Sequence, residues 1–378
     1  MSHRLNFQTF EPMGKPFHII CTVTNDLNFD QRMIRICNSL AINGYKVTLI
    51  GRKLTDSQTI TERSFRQVRL YCFFKKGVLF YTEYNIRLFF WLLLQHADCV
   101  CAIDLDTILP CLWASKIKRW KRIYDAHELF CEMKEVVSRP SRYRIWKKIE
   151  RYAVPKFKFG YTVCQPIADE FKKMYGVEYN VIRNIALLKE SELPPKSEKT
   201  FFIYQGAVNE GRSFETLIPA MNKVKTPLYV YGDGNYFKQT QKLIEKNHLS
   251  ATVKLMGKLK PEALRQVTLQ AYAGITLFEN NSQNNYLSLA NRFFDYIQAG
   301  IPQLCMNYPA YKEINDKYGV AILIDDLSSE TISKALNLLV TDHVLYNRLK
   351  QNCVLAKKEL NWQAEEKKLI SIYRSIEK

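Results

Sequence analysis

The chain has 378 residues, 47% hydrophobic and 24% charged, and its formal net charge is +18. This composition excludes a disordered chain, and the length is typical of two domains rather than one core. The ten cysteines lack zinc-site spacing, and the apolar runs at 17–23 and 88–94 are too short for a signal peptide or a membrane span, so we expect a cytoplasmic protein with buried thiols.

Strand-like and helix-like patterns alternate through the first half of the chain. An apolar run at 17–23, a helical pattern at 31–43 and a second apolar run at 45–51 form a β-α-β unit. Further strands are predicted at 68–74, 99–103, 122–124, 159–163 and 180–182. This alternation predicts a mostly parallel sheet with helices on both faces.

The same pattern restarts after a break at residues 187–200, which has two prolines, several charges and no periodicity, and which we interpret as a linker. Strands are then predicted at 201–206, 228–234, 253–257, 273–278, 302–306 and 320–324. Two helical patterns, at 342–359 and 362–376, end the chain. The sequence therefore predicts two doubly wound α/β domains, with ligands bound in the cleft between them.

Residues 114–160 carry half of the excess positive charge. Fourteen Lys and Arg residues stand there against five Asp and Glu residues, and Trp120, Tyr143, Trp146, Tyr152 and Phe157 are interleaved with them. Such a basic aromatic segment is compatible with nucleic acid, with anionic lipid, or simply with solubility.

Polar residues follow several predicted strands of the first half. Asp104, Asp106 and Thr107 follow one strand, and Asp125, His127 and Glu128 end the next. A single histidine is more often structural than catalytic, but a His-Glu pair at a strand end in a cleft is a plausible polar cluster. The loop TNDLNFDQR supplies Asn25, Asp26, Asp30 and Arg32 without a glycine, and we interpret it as a loop that lines an acceptor site.

In the second half, YQGAVNEGRSFETL supplies Gly206, Gly211 and Arg212 between a strand and a helix. Backbone amides, a helix dipole and a guanidinium converge on a diphosphate in such a turn. The segment lacks the Lys-Ser/Thr of a P-loop and does not match GxGxxG. It therefore gives no indication of ATP hydrolysis or of NAD binding. An ordinary βα turn with a surface arginine is the alternative.

The stretch 288–302 is predicted to form a short helix that stops at its Gly-Pro end, and this helix has two distinct faces. Its polar stripe contains Ser288, Asn291, Arg292, Asp295 and Ala299. The opposite face, which includes Phe293, Phe294 and Ile297, is apolar and should pack on the sheet. The stripe either faces solvent or faces the cleft as a ligand-binding surface.

Several segments together resemble bacterial glycosyltransferases of the GT-B fold, in the large retaining family usually numbered 4, the glycosyl transferases group 1. They are NDLNFDQRMIRICNSLAINGYKVTLIG, YDAHELF, QGAVNEGRSFETLI, YGDG and LANRFFDYIQAGIPQL, and the resemblance covers nearly the whole chain. It implies an acceptor-binding domain at 1–186, a nucleotide-sugar-binding domain at 201–360, and a terminal helix at 361–378 that returns to the first domain.

The resemblance also implies roles for individual residues. Gly206, Gly211 and Arg212 match a diphosphate-binding loop, with Ala207 and Glu210 where the family often has basic residues. Asp295 matches the second acid of a Glu-x7-Glu motif and would bind ribose, whereas Leu287 occupies the first acid's position. The implied donor-binding set is completed by Asn291 and Arg292, and His127 matches an active-site histidine near the transferred sugar.

The resulting hypothesis is a peripheral glycosyltransferase on the inner face of the cytoplasmic membrane. It uses a UDP- or GDP-sugar donor and a lipid-linked or cell-surface glycan acceptor, with retention implied by the resemblance alone. No metal or other cofactor is expected, because two arginines and a helix N-terminus suffice to neutralise the leaving diphosphate. The alternatives are a GT-B sugar-nucleotide epimerase and a nucleic-acid-binding protein, although no nucleic-acid reader motif is present and no nucleic-acid partner is expected.

Overall fold

The structure is a computed structural model that describes residues 15–189 and 201–377. Two sheets organise these residues, and every strand pairing in them is parallel. The strands of the first sheet are β1 His18–Thr22, β2 Lys46–Lys53, β3 Arg66–Tyr71, β4 Cys99–Ile103, β5 Lys121–Ala126, β6 Phe159–Thr162 and β7 Asn180–Val181. Their order is β3-β2-β1-β4-β5-β6-β7, so the winding direction reverses between β1 and β4.

Six helices connect the strands of the first sheet. They are α1 Gln31–Ile42, α2 Gly77–Leu93, α3 Ile108–Lys118, α4 Lys134–Val137, α5 Pro140–Ala153 and α6 Gln165–Tyr175, with short 3-10 turns at Leu105–Thr107, Phe130–Glu132 and Val154–Lys156. The central strands are buried by these helices, and all five residues of β1 and of β4 are buried. The edge strand β3 is only partly buried.

The second sheet contains β8 Phe202–Gln205, β9 Leu228–Tyr231, β10 Val253–Gly257, β11 Ala273–Thr276, β12 Gln303–Met306 and β13 Ala321–Ile324. Its order is β10-β9-β8-β11-β12-β13, with the reversal between β8 and β11. Its helices are α7 Phe214–Ala220, α8 Phe237–Lys246, α9 Pro261–Gln270, α10 Gln283–Leu287, α11 Asn291–Gln298, α12 Pro309–Tyr318, α13 Ser329–Thr341 and α14 His343–Ala356, with a 3-10 turn at Met221–Lys223.

The last helix, α15 Trp362–Glu377, returns to the first domain. Its apolar residues, among them Leu369 and Tyr373, are buried in the cluster that contains β1 and α1. The indole Nε1 of Trp362 donates to the Ser39 hydroxyl of α1 at 2.9 Å. The terminal helix therefore ties the two halves of the chain together.

The two-domain α/β architecture predicted from the sequence is confirmed, and all thirteen predicted strands are present. The short helix predicted within 288–302 ends before its Gly-Pro stop as expected but starts later than predicted, because α11 covers Asn291–Gln298. The preceding Ala290 has an extended backbone, and its N–H donates to the Tyr311 hydroxyl at 3.0 Å. The predicted linker at 187–200 lies outside the described residues from 190 onward.

All ten cysteines are buried, as the sequence predicted. Within the two described ranges, no helix combines the length and the hydropathy needed to cross a bilayer.

Candidate functional site

Parallel sheets bind ligands at the carboxyl ends of the strands beside a reversal of strand order. In the second sheet this position is occupied by Gln205 and Gly206 at the end of β8 and by Phe278 just after β11. Gly206 has φ +125°, a conformation that L side chains rarely adopt, and a Cβ there would lie 3.3 Å from Nη1 of Arg292. The glycine turn therefore leaves room for an arginine directly beneath the loop.

Helix α11 is held close to the sheet by a glycine on the neighbouring strand. The ring of Tyr296 lies over Gly274 of β11, where a Cβ would come within 2.2 Å of it. Phe293, Phe294 and Ile297 are buried on the same side. This packing turns the polar stripe of α11, with Arg292 and Asp295, toward the end of β8.

Arg292 is 7% exposed and is held by β8 and by aromatic rings. Its Nη1 donates to the Gln205 carbonyl at 3.0 Å, and its guanidinium lies 4.3 Å from the ring centre of Tyr204 and 4.6 Å from that of Phe278. Its Nε and Nη2 are buried and make no hydrogen bond to the described residues. Buried charged donors without partners are costly, so this group is suited to an anionic ligand.

A second guanidinium lies on the same aromatic ring. Arg212 is 4.2 Å from the ring centre of Phe278. Burial, followed by repulsion from Arg292, lowers the pKa of Arg212. Among the described residues neither arginine forms an ion pair with a carboxylate, and Glu128 and Asp295 act on the two guanidiniums only at longer range. A diphosphate supplies the charge that this pair lacks.

Asp295 lies one helical turn beyond Arg292 and is oriented by Gln205. The side-chain Nε2 of Gln205 donates to Asp295 Oδ2 at 2.9 Å, and its side-chain Oε1 accepts from Thr268 Oγ1 at 2.7 Å. Burial raises the pKa of Asp295 to about 6. The second oxygen of this carboxylate is suited to accept from ligand hydroxyls. Asn291, predicted beside it, is exposed at the start of α11.

Across the cleft, His127 lies between two carboxylates of the first domain. Its Nε2 is 3.2 Å from Asp125 Oδ2, its Nδ1 is 3.4 Å from Asp104 Oδ2, and its backbone N–H donates to Asp104 Oδ1 at 2.8 Å. Burial alone lowers the pKa of His127, but the negative charges of Asp104 and Asp125 outweigh it and raise the pKa to about 9. The imidazole is therefore a cationic donor at neutral pH.

The backbone of Asp104 is strained. With φ +54° and ψ 176°, it occupies a region that is nearly exclusive to glycine, at a cost of about 1–3 kcal/mol. Its N–H donates to the Asp125 carbonyl at 2.9 Å, which holds the strand ends of β4 and β5 together. Strain of this kind is concentrated at functional sites, and here it aims a carboxylate at His127.

Arg32, predicted to contact the acceptor, is instead buried beneath this cluster. Its Nη2 pairs with Asp125 at 2.9 Å and its Nη1 donates to the Ile182 carbonyl at 3.0 Å. The first turn of α1 points it inward, so its contact is with Asp125 and, through Asp125, with His127. Asp30 caps α1 by accepting from the Met33 N–H at 3.0 Å and remains half-exposed.

Contacts across the cleft bring the two walls together. The Asn284 side chain in α10 accepts from the Leu129 N–H at 2.9 Å and donates to Glu128 Oε2 at 3.2 Å. Lys134 pairs with Glu210 of the glycine loop at 2.9 Å. The His127 segment thus faces the Gly206 to Arg212 loop.

Several residues of this site were missed from the sequence. Gln205 positions both Arg292 and Asp295, and its signal was a polar residue at the end of an apolar strand. Tyr204 and Phe278 look like ordinary core aromatics in the sequence, and Asn284 is one of several asparagines in its segment. In the described part of the chain, no group of three or more His, Cys, Asp or Glu side chains is arranged to hold a metal ion.

Comparisons with known proteins give a family match and a shared fold. Residues 188–354, which contain the glycine loop and α11, match the family model described as Glycosyl transferases group 1. No curated protein matches the chain by sequence.

Solved structures match over nearly the full length of the chain. Sucrose-phosphate synthase from Thermosynechococcus elongatus has a TM-score of 0.76 at 14% identity, covering 95% of this chain and 99% of that one. Anabaena HepE in complex with UDP and glucose has a TM-score of 0.75 at 12% identity, with coverages of 94% and 99%. WaaG, a glycosyltransferase involved in lipopolysaccharide biosynthesis, has a TM-score of 0.72 at 16% identity, covering 94% of this chain and 99% of that one. These likenesses establish the fold, that of GT-B glycosyltransferases, and residues 188–354 of the second domain match the glycosyl transferases group 1.

Proposed function

We propose that this enzyme transfers a sugar from a nucleoside diphosphate sugar to a hydroxyl of a lipid-linked or cell-surface polysaccharide precursor. The observation that carries the donor assignment is the pair of guanidiniums on Phe278, with Nε and Nη2 of Arg292 buried and unpartnered. A diphosphate bridges two such cations, and they stabilise the charge that develops on it when the glycosidic bond breaks.

The remaining donor contacts follow from position. Gly206 and Gly211 let the loop backbone approach the phosphates, and Asp295 accepts from the ribose hydroxyls. The HepE complexes with UDP and with UDP-glucose support a uridine nucleotide in this fold, and a GDP-sugar fits the same phosphate and ribose contacts.

His127 is proposed to contact the transferred sugar from the first domain. The Nε2–H of its imidazolium is held by Asp125, and its Nδ1–H, which lies 3.4 Å from Asp104 Oδ2 without forming a hydrogen bond to it, is proposed to donate to a sugar hydroxyl or to the leaving phosphate oxygen. Arg32 keeps Asp125 ionised, because its positive charge is the main influence that lowers the pKa of that buried carboxyl. Asp30, at the start of α1, is proposed as an acceptor contact.

We further propose that no metal is needed and that the anomeric configuration is retained. The two arginines supply the positive charge that a divalent cation supplies elsewhere. Activity should therefore be unchanged by a chelator such as EDTA.

The acceptor is proposed to lie at a membrane, with the enzyme peripheral on its cytoplasmic face. The basic aromatic segment 114–160 belongs to the first domain and carries exposed Arg144 and Lys148 on α5. WaaG, a similar structure, is involved in lipopolysaccharide biosynthesis. Exposed basic residues beside an exposed aromatic ring, here Tyr152, are typical of surfaces that contact anionic lipid. Trp120 and Phe157 of the same segment are buried in the core and take no part in such a contact.

Incubation with a panel of radiolabelled UDP- and GDP-sugars, with and without membranes, tests the proposal. Transfer of label to a membrane-extractable product from one donor supports it. Conversion of the free sugar nucleotide into an epimer without membranes would indicate the epimerase alternative. Binding of nucleic acid with no turnover of any donor would contradict the proposal altogether.

A further inference from the structure

A cavity of about 610 Å³ lies in the first domain between α2, α3 and α5. Its volume is within the range of about 300–1,000 Å³ that is usual for small-molecule sites. Apolar side chains form most of its wall, including Ile86, Phe89, Phe90, Leu109, Trp113 and Trp146. Nothing in the donor site accounts for it.

Helix α2 is apolar on two opposite faces. Phe80, Tyr84 and Leu88 are buried against the sheet, whereas Val78 is 62% exposed and Phe90 is 61% exposed. A helix that is apolar all round is normally covered on every side. The exposed face of α2 opens into the cavity, which continues across Trp113 of α3 and Ile145 of α5. Exposed apolar surface of this extent marks a binding site.

The rim of the cavity is basic. Arg139 and Arg142, at the start of α5, line it and are exposed, and within residues 15–189 and 201–377 neither forms an ion pair. Glu135 is on the same rim and offsets one of the two charges. An apolar interior with a cationic mouth matches a hydrocarbon chain that ends in an anionic group.

The cavity shares a wall with the candidate active site. Leu105, which lines it, stands between Asp104 and Asp106 in the chain, and Phe130 follows His127 by three positions. Asn85 also lines it, and its side-chain amide donates to the Asp106 carbonyl at 2.9 Å. A molecule in the cavity is therefore held next to the strand ends at which transfer takes place.

We propose that this cavity holds the hydrocarbon chain of a phosphorylated lipid acceptor, with its phosphate between Arg139 and Arg142 and its glycan end toward His127. The inference rests on the lipid-linked acceptor of the proposed function and deepens it. The acceptor's chain enters the protein itself, in addition to any contact of the protein with the membrane surface.

The test is calorimetric titration of the full chain with decyl phosphate, kept below the concentration at which it aggregates. The variant Ile86→Glu places a charge in the cavity wall, at a side chain that is 52% exposed and so tolerates the change. Ile42→Glu, the same change at a 77% exposed isoleucine on α1, is the matched control. We expect Ile86→Glu to weaken binding at least tenfold and Ile42→Glu to leave it unchanged.

A double variant, Arg139→Ala with Arg142→Ala, tests the phosphate position. This double variant should bind decyl phosphate several-fold more weakly than the wild type, whereas its affinity for decanol should be unchanged. Equal binding of decyl phosphate by the Ile86→Glu variant, or no binding by the wild type, would overturn the proposal. So would sedimentation showing a wild-type dimer that Ile86→Glu converts to monomers, because a second copy of the chain would then cover the cavity.

The outcome is distinguishable from that of the proposed function. Decyl phosphate binding does not require the donor site, so Arg292→Ala should leave it unchanged. If decyl phosphate binds but no sugar nucleotide is turned over, the proposed function fails and the cavity assignment stands. If a sugar is transferred to an acceptor without a lipid and decyl phosphate does not bind, the cavity assignment fails alone.

Discussion

The guanidinium of Arg292 lies beneath the end of strand β8, where its Nη1 donates to the carbonyl oxygen of Gln205 at 3.0 Å. This contact fixes one edge of the guanidinium and leaves Nε and Nη2 buried without partners among the described residues. Arg292 and Asp295 of the polar stripe therefore do not lie on a solvated surface, whereas Asn291 at its start is exposed. The stripe presents an unsatisfied cation at the strand end where a diphosphate is expected.

Replacing Arg292 by alanine should weaken UDP, GDP and pyrophosphate alike. The lost hydrogen bonds to a charged group correspond to about 1.5–3 kcal/mol, or about ten- to a hundredfold in affinity. Calorimetric titration measures the change, and Arg348→Ala, at an exposed arginine of α14, is the control for loss of a positive charge. Wild-type affinity in the folded Arg292→Ala variant would mean that no phosphate contacts this residue.

Replacing Asp295 by alanine should distinguish nucleotides from pyrophosphate. The binding free energy of UDP and of GDP should become less favourable by about 1 kcal/mol, the usual net value of a hydrogen bond, because the carboxylate that accepts from the ribose is gone. Pyrophosphate has no ribose and should bind as before. Asp316→Ala, at an exposed acid of α12, controls for the change in net charge. A loss that is equal for UDP and pyrophosphate would assign Asp295 to the arginine pair rather than to the ribose.

The His127→Ala variant should turn over its donor more slowly while binding UDP with nearly unchanged affinity. His127 belongs to the first domain, whereas the proposed nucleotide contacts belong to the second. An interaction made mainly in the transition state lowers kcat more than it changes ligand affinity. Steady-state kinetics and UDP titration of the same preparation check this, and normal turnover would assign His127 a purely structural role.

His127 should titrate near pH 9 in the folded protein. Because Asp104 and Asp125 raise its pKa above the ordinary value of about 6.5, its stabilising charge is complete below pH 6.5 and is lost as the pH rises through 9. The loss is on the order of 2–3 kcal/mol of the free energy of unfolding. NMR titration, with His127→Gln to assign the signal, measures the pKa, and urea unfolding of both proteins from pH 6.5 to 9.5 measures the stability. A midpoint at or below 6.5 would contradict the two-carboxylate geometry.

The basic segment should bind anionic vesicles more tightly than neutral ones, and rising salt should weaken the binding. Each Lys or Arg near such a surface contributes about 1 kcal/mol, so reversing Arg144 and Lys148 of α5 to glutamate should weaken sedimentation with anionic vesicles by more than tenfold. Lys242→Glu with Lys246→Glu, at the same spacing on α8 of the second domain, is the matched control. Equal binding to neutral and anionic vesicles would exclude this docking mode.

The sequence by itself determined the strands, their alternation with helices and the two-domain division, because apolar runs and amphipathic periods are local properties. It also indicated where the glycine loop and the apolar face of α11 lie, since glycine turns and helical faces need only a few neighbouring residues. The structure agrees with these predictions, except that α11 starts later than predicted, at Asn291.

Only the tertiary structure decided which side chains meet. Arg32 reaches Asp125 and Ile182 rather than the cleft, and Asn284 reaches Leu129, which is 155 positions away in the chain. The cavity between α2, α3 and α5 likewise arises from helices that are distant in sequence. A local pattern shows that a residue is polar or apolar, but its partner depends on how β-α units pack, and that packing is fixed by the whole core.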